Sequence, residues 1–115
     1  MKYSVVATSF NDSNDIVKYL EDICNQTYLP DEIVIADGGS KDDTVEKIKK
    51  FATSSNITIR VVEKGRLNIS QGYNEAIKAA INNVIGITGI GNFYDRAFFE
   101  SLVKEFENND LDYVY

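Results

Sequence analysis

The chain alternates between short apolar runs of strand length and longer segments in which apolar residues recur every three or four positions. This pattern predicts strands at about 3–8, 32–37, 57–62, 84–88 and 112–115, separated by helices at about 13–25, 41–53, 69–81 and 95–107. In the last predicted helix, one apolar stripe consists of Phe99, Leu102, Val103 and Phe106. Repeated strand–helix–strand units are typical of an α/β protein whose parallel strands are joined by right-handed crossovers.

The composition of the predicted strands indicates how the sheet is covered. Most strands are nearly continuous apolar runs, which suits strands that are buried on both faces, whereas the run at 57–62 alternates. We therefore predict an open, mostly parallel, Rossmann-like sheet with helices on both faces. Ser40 is predicted to cap the second helix, and Asn68 with Gln71 forms a capping-box pattern ahead of the third.

Length, charge and residue content exclude several classes of protein. A chain of 115 residues predicts one domain with its own core. The net charge of −6 and the absence of a basic run argue against binding to a nucleic acid duplex. Because the chain has no histidine, Ser-His-Asp and Cys-His nucleophile systems and histidine zinc sites are excluded. Cys24 stands alone at an apolar helical position, so we expect it to belong to the core.

The sequence shows no pattern of a signal peptide or of a membrane span. The apolar stretch after Lys2 is too short for a signal peptide and turns polar at Ser9. No apolar run approaches the roughly 18 residues of a membrane span. We expect a cytoplasmic location, with the inner face of a membrane as the alternative.

Two predicted strands end in residues that suit a ligand. Residues 8–11 (Thr-Ser-Phe-Asn) offer hydroxyl donors and a ring that can stack on a base. Residues 37–40 (Asp-Gly-Gly-Ser) place glycines, which allow close approach to the backbone, at the start of a helix. The carboxyl ends of parallel strands meet at the edge where α/β proteins bind ligands. The structural alternatives are a turn with Phe10 in the core and a tight turn with a helix cap.

A third segment, residues 63–77, carries Arg66 ahead of a predicted helix. The guanidinium group of an arginine can pair with a phosphate at two points. The alternative is a solvated arginine in a surface loop. Gly72 is predicted to permit close packing of the helix against the sheet rather than to contact a ligand.

Together, these three segments resemble the donor-binding half of nucleotide-sugar glycosyltransferases of the inverting family two. That family has the GT-A fold of the nucleotide-diphospho-sugar transferases. The resemblance implies that the donor contacts Thr8, Phe10, Asp37, Gly38, Gly39 and Arg66. Within this set, Thr8 and Phe10 would contact the base, and Arg66 would face the base or the diphosphate. Gly38 stands where the family usually has the second of two acids.

The resemblance also implies a reaction. An acceptor hydroxyl would displace the nucleoside diphosphate of a UDP- or GDP-type donor at the anomeric carbon, with inversion. The family's general base comes from an acceptor half, so we assign no catalytic residue here. We expect 1–115 to be a single nucleotide-sugar-binding domain that stops before the acceptor half and transfers sugar weakly or not at all. The sequence does not identify the acceptor. A homodimer formed through exposed strand edges is a further alternative.

A fourth segment departs from the family pattern. After the strand at 84–88 the family usually has Asp-x-Asp, whose carboxylates hold Mg²⁺ or Mn²⁺ on the donor diphosphate. This chain has Gly-Ile-Gly-Asn at 89–92. We therefore predict no metal ligands and no certain cofactor at this position. The diphosphate would then depend on Arg66, Lys64 or helix N-termini.

Two other functions stay open. The missing acids favour a catalytically degenerate module of the same fold that binds a nucleotide or a protein partner. A nucleotidyltransferase can share a related fold, but it usually has a glycine-rich basic loop after the first strand, which this chain lacks.

Overall fold

The computed structural model describes residues 1–108, in which strands and helices alternate as the sequence predicts. In chain order the elements are β1 (Ser4–Ser9), α1 (Ile16–Cys24), β2 (Glu32–Asp37), α2 (Thr44–Thr53), β3 (Thr58–Glu63), α3 (Ile69–Ala79), β4 (Ile85–Ile87) and α4 (Phe98–Asn108). The strand predicted at 112–115 lies outside the described residues. Each helix within 1–108 is too short or too polar to serve as a membrane span.

Within the described part of the chain, four strands form one parallel sheet in the order β3-β2-β1-β4. The central strands β1 and β2 are almost completely buried, as their continuous apolar runs predict. Ser9 pairs with Asp37, and Asp37 pairs with Glu63, so β1, β2 and β3 end level with one another. The register therefore brings the loops that follow these three strands to one edge of the sheet.

Helices cover both faces of the sheet. On one face, α1, α2 and α4 bury the larger core cluster against alternate residues of β1 and β2, among them Val5 and Ile33. On the other face, α3 packs through Ala76 against Val6. The removal of apolar surface from water on both faces is the dominant force that stabilises such a sheet. Cys24, which the sequence predicts to belong to the core, is half-buried and packs against the larger cluster at its margin.

Of the two predicted helix N-caps, the structure confirms one and contradicts the other. The capping box before α3 is confirmed, because the side chain of Asn68 accepts from the N–H of Gln71 and the side chain of Gln71 accepts from the N–H of Asn68. The prediction that Ser40 caps α2 is wrong. The helix begins later, at Thr44, and both the N–H and the hydroxyl of Ser40 donate to Asp37 instead.

Candidate functional site

The carboxylate of Asp37 organises the loop after β2. Its Oδ1 accepts hydrogen bonds from the hydroxyls of Ser9 at 2.7 Å and Ser40 at 2.6 Å. Its Oδ2 accepts from the backbone N–H groups of Gly39 at 3.0 Å and Ser40 at 2.8 Å. Burial opposes the charge on Asp37, but these hydrogen bonds outweigh burial and hold its pKa below the usual value. The carboxylate is therefore engaged by the protein and shapes the backbone that a ligand would meet.

Gly38 and Gly39 lie between two neighbouring loops. A Cβ atom on Gly38 would lie 2.8 Å from the carbonyl oxygen of Leu67 and 3.8 Å from Cδ1 of Phe10. Gly39 has a φ of +94°, a conformation that favours glycine, and a Cβ there would lie 3.6 Å from Cγ of Arg66. The missing side chains thus allow the loops after β1, β2 and β3 to meet.

Phe10, Asp37 and Arg66 are therefore brought to one region of the carboxyl edge, with the two glycines between Phe10 and Arg66. Phe10 is 53% exposed, so the alternative that places its ring in the core is wrong. Arg66 is also exposed, and Asp37 is buried beneath the loop. An exposed ring and an exposed guanidinium on either side of a glycine backbone can together contact one planar, phosphorylated ligand. That these residues bind a donor stays a prediction.

The loop that carries Phe10 is held in place by backbone contacts. The N–H of Phe10 donates to the carboxylate of Asp12 at 2.9 Å, and the N–H of Asn11 donates to the hydroxyl of Ser40 at 2.8 Å. The side chain of Asn11 accepts in return from the N–H of Lys41 at 2.8 Å. Burial, followed by nearby carboxylates, raises the pKa of Asp12, although the N–H of Phe10 opposes the shift. The loops after β1 and β2 therefore form one cross-linked unit.

Thr8 faces α3 rather than the outer surface of the loop. A Cβ on Gly72 would lie 2.5 Å from Cγ2 of Thr8, so the predicted packing role of Gly72 is confirmed. The neighbouring residue Tyr73 donates its hydroxyl proton to the carbonyl oxygen of Thr88 at 2.6 Å. Burial raises the pKa of Tyr73. The start of α3 thus packs on Thr8 through Gly72 and bonds to the end of β4 through Tyr73.

Tyrosine hydroxyls bond to Thr88 and Gly89, next to the positions where the family pattern would place acids. Thr88 is buried, and its hydroxyl bonds to that of Tyr19 at 2.5 Å. The N–H of Gly89 donates to the hydroxyl of Tyr94 at 2.9 Å. Asn92 closes the turn by donating its N–H to the carbonyl oxygen of Gly89 at 3.4 Å.

The residues at this turn do not fit a carboxylate-bound metal ion. Mg²⁺ and Mn²⁺ prefer oxygen ligands, chiefly carboxylates, and Gly89 and Gly91 have no side chain to offer. The amide nitrogen of Asn92 lies 2.8 Å from the place that a Cβ on Gly89 would occupy, so the amide lies over this glycine. Among residues 1–108, no three His, Cys, Asp or Glu side chains are arranged to hold a metal ion.

A comparison with known protein families identifies the family of this chain. The model for glycosyl transferase family 2 matches residues 4–115. The chain belongs to this family. One relative is the uncharacterized glycosyltransferase EpsJ of Bacillus subtilis, which is 28% identical over 111 residues that cover 96% of this chain and 32% of EpsJ.

Solved structures of glycosyltransferases share the fold. The structure of S. aureus TarS 1–349 in complex with UDP-GlcNAc superposes with a TM-score of 0.80 at 18% identity, covering 96% of this chain and 32% of that one. The mannosyltransferase PcManGT from Pyrobaculum calidifontis, in complex with GDP-Man and Mn²⁺, superposes with a TM-score of 0.70 at 26% identity, covering 76% and 27%. These superpositions confirm the predicted GT-A architecture. The chain spans about a third of the length of EpsJ and of the TarS 1–349 chain.

The sequence pattern of this family 2 chain did not predict that tyrosine side chains would surround the end of β4. Tyr73 lies within the amphipathic pattern of a helix, and Tyr94 follows the segment whose missing acids dominate the sequence signal. One signal was available: Tyr94 follows two glycines within a short turn, where an aromatic ring can fold back over the backbone. The contacts of Tyr19 with Thr88, 69 residues away, had no counterpart in the sequence pattern.

Proposed function

We propose that the chain is the donor-binding part of an inverting glycosyltransferase that uses a nucleoside diphosphate sugar. The observation that carries this proposal is the meeting of Phe10, the Gly38–Gly39 backbone and Arg66 at the carboxyl edge of the sheet. Membership of family 2 supports it, as do the UDP, UDP-GlcNAc and GDP-Man complexes of structural neighbours.

Each predicted residue has a distinct role in this proposal. The ring of Phe10 would stack on the base, with Thr8 below it at the end of β1. Gly38 and Gly39 would let the nucleoside approach the backbone. Arg66 would pair with the diphosphate through its guanidinium group. Asp37 would hold the loop in the shape that makes these contacts possible.

The proposed reaction is displacement at the anomeric carbon by an acceptor hydroxyl, which inverts the configuration. It requires a base for the hydroxyl proton, and the described residues offer no assignment for it. Because EpsJ and the TarS 1–349 chain are each about three times as long as this chain, we propose that the acceptor site and the base lie in further sequence. We expect the 115-residue chain alone to transfer sugar weakly or not at all. A cytoplasmic location and a homodimer stay predictions.

The second candidate is a catalytically degenerate binding module of the same fold. The turn at 89–92 favours it, because this turn lacks the carboxylates that normally hold the metal. Such a module would bind a nucleotide or a partner but would not transfer sugar when an acceptor half is supplied.

Titration calorimetry with UDP, GDP, uridine and guanosine tests the donor site. We expect the chain to bind one of the two diphosphates. Phe10→Ala should weaken that binding about tenfold or more, since stacking on an aromatic ring contributes about 1–3 kcal/mol per base. Arg66→Ala should weaken binding of the diphosphate but not that of its nucleoside. Leu29→Ala removes another exposed apolar side chain, 48% exposed, and should leave binding unchanged. A chain that binds none of these ligands would refute the proposal.

A further inference from the structure

Tyr94 packs among three aromatic rings at the end of the sheet. Its ring is stacked on that of Phe99, with centroids 6.2 Å apart and planes 16° apart. Edge-to-face contacts join it to Phe98 at 5.1 Å and to Tyr19 at 6.4 Å. Aromatic pairs of this geometry fix ring orientation. The position of the Tyr94 hydroxyl is therefore determined by the core and not by a flexible side chain.

The hydroxyl of Tyr94 retains an unused proton. It accepts a hydrogen bond from the N–H of Gly89 at 2.9 Å, and no hydrogen bond within residues 1–108 uses its own O–H as the donor. The neighbouring tyrosines differ. Tyr73 donates its proton to the carbonyl oxygen of Thr88. Tyr19 donates to the hydroxyl of Thr88, because that hydroxyl donates in turn to the carbonyl oxygen of Val6.

This unused donor lies at the carboxyl edge. Gly89 follows Thr88, whose N–H continues the pairing with β1 by donating to the carbonyl oxygen of Val6 at 3.0 Å. Tyr73 bonds to Thr88, and Gly72 beside it packs on Thr8 of β1, which lies two residues before Phe10. The Tyr94 hydroxyl and the Gly38–Gly39 backbone therefore belong to the same edge of the sheet, at the ends of β4 and β2.

We propose that the hydroxyl of Tyr94 donates a hydrogen bond to the diphosphate of the bound nucleotide, and that this chain binds the diphosphate without a divalent metal ion. The inference rests on the proposed function. The turn at 89–92 lacks carboxylates for a metal, so the charge of the diphosphate must be met by protein donors. A hydroxyl already polarised by accepting from Gly89 is well placed to donate to an anionic oxygen.

Tyr94→Phe tests the inference, since it keeps the ring and removes the O–H. Calorimetry is performed with UDP and uridine, or with GDP and guanosine if the chain prefers GDP, in EDTA and again in Mn²⁺. We expect Tyr94→Phe to weaken diphosphate binding about tenfold, as for the loss of a hydrogen bond to a charged group, and to leave nucleoside binding unchanged. Wild-type affinity should be the same in EDTA and in Mn²⁺.

Tyr28→Phe is the matched control. Its hydroxyl donates to the carbonyl oxygen of Met1 at 2.9 Å, away from the carboxyl edge, so neither ligand should be affected. If Tyr94→Phe does not fold, the Arg66→Ala variant provides the test. In EDTA the Arg66→Ala variant must still bind the diphosphate more tightly than the nucleoside, because the Tyr94 hydroxyl remains as a donor to the diphosphate.

The outcomes separate this inference from the proposed function. Equal losses for nucleoside and diphosphate in Tyr94→Phe, or no loss at all, overturn the role of Tyr94. Wild-type binding that tightens tenfold or more in Mn²⁺ overturns metal-free binding. Either result leaves the donor site intact. A wild-type chain that binds no nucleotide and no nucleoside overturns the proposed function and the inference together.

Discussion

The carboxylate of Asp37 receives hydrogen bonds from two hydroxyls and two backbone N–H groups, and it is only 4% exposed. A buried carboxylate of this kind is stable only while its hydrogen bonds are intact. The residue therefore couples the stability of the protein to the shape of the loop at 38–40. Asp37 would therefore contribute to the proposed donor site by shaping this loop, because its oxygens are already engaged by the protein.

Asp37→Asn is expected to lower the free energy of unfolding by about 2 kcal/mol at pH 7, because the amide NH₂ would point at donors that need an acceptor. Urea denaturation measures the change. Glu46→Gln, an exposed position on α2, is the control and should change stability by less than about 0.5 kcal/mol.

The same variant reveals the pH dependence of this group. Because the folded protein lowers the pKa of Asp37, its stabilising effect is complete above the usual carboxyl value of about 3.9 and is lost as the pH falls below it. The stability difference between wild type and Asp37→Asn should therefore be constant from pH 7 to pH 5 and shrink toward pH 3. A difference that stays constant to pH 3 would contradict the role of the ionised carboxylate.

At the scale of elements, the contact between α3 and β1 determines how deeply the helix packs. Gly72 lies over Thr8 with no room for a further carbon, since a Cβ there would lie 2.5 Å from Cγ2 and 3.2 Å from Cβ of Thr8. Ala76 makes the next contact of the same helix face and is also small and fully buried. Small residues at this interface let the start of α3 approach the carboxyl edge.

Gly72→Ala is expected to lower the free energy of unfolding by about 1 kcal/mol. Overpacking costs about 1–3 kcal/mol, and the better helix propensity of alanine offsets up to about 1 kcal/mol of it. Combining it with Thr8→Ser, which removes Cγ2, should recover most of the loss in a double-mutant cycle. Strict additivity of the two variants, measured by thermal or urea unfolding, would show that this contact does not limit packing.

At the scale of the molecule, a second polar network joins the elements at the amino edge of the sheet. Glu32, at the start of β2, is 1% exposed and accepts from Arg60 of β3 at 2.6 Å, from Ser4 of β1 at 2.7 Å and from the N–H of Ile81 at 2.6 Å. Burial opposes its charge, but these contacts lower its pKa. One carboxylate thus connects β1, β2, β3 and the segment after α3.

Arg60→Ala is expected to lower the free energy of unfolding by about 2–3 kcal/mol, because it leaves a buried carboxylate without its cation. The exposed pair of Lys49 and Glu63, 2.9 Å apart, is the matched comparison. Lys49→Ala should cost less than about 1 kcal/mol. Equal effects in urea denaturation would mean that the burial of Glu32 does not govern the strength of its ion pair.

The periodicity of apolar residues was enough to predict the order of the elements, the parallel sheet and helices on both faces, because burial acts on every strand and helix and leaves a local pattern. The identity of single residues was enough to show that residues 89–92, just after β4, contain no acid. The tertiary structure decided which side chains and backbone groups form hydrogen bonds with one another. Ser40 bonds to Asp37 instead of capping α2, and Tyr94 turns its hydroxyl to Gly89. Hydrogen bonds of this kind depend on distances and angles between folded loops, and those are set only when the sheet brings its strand ends together.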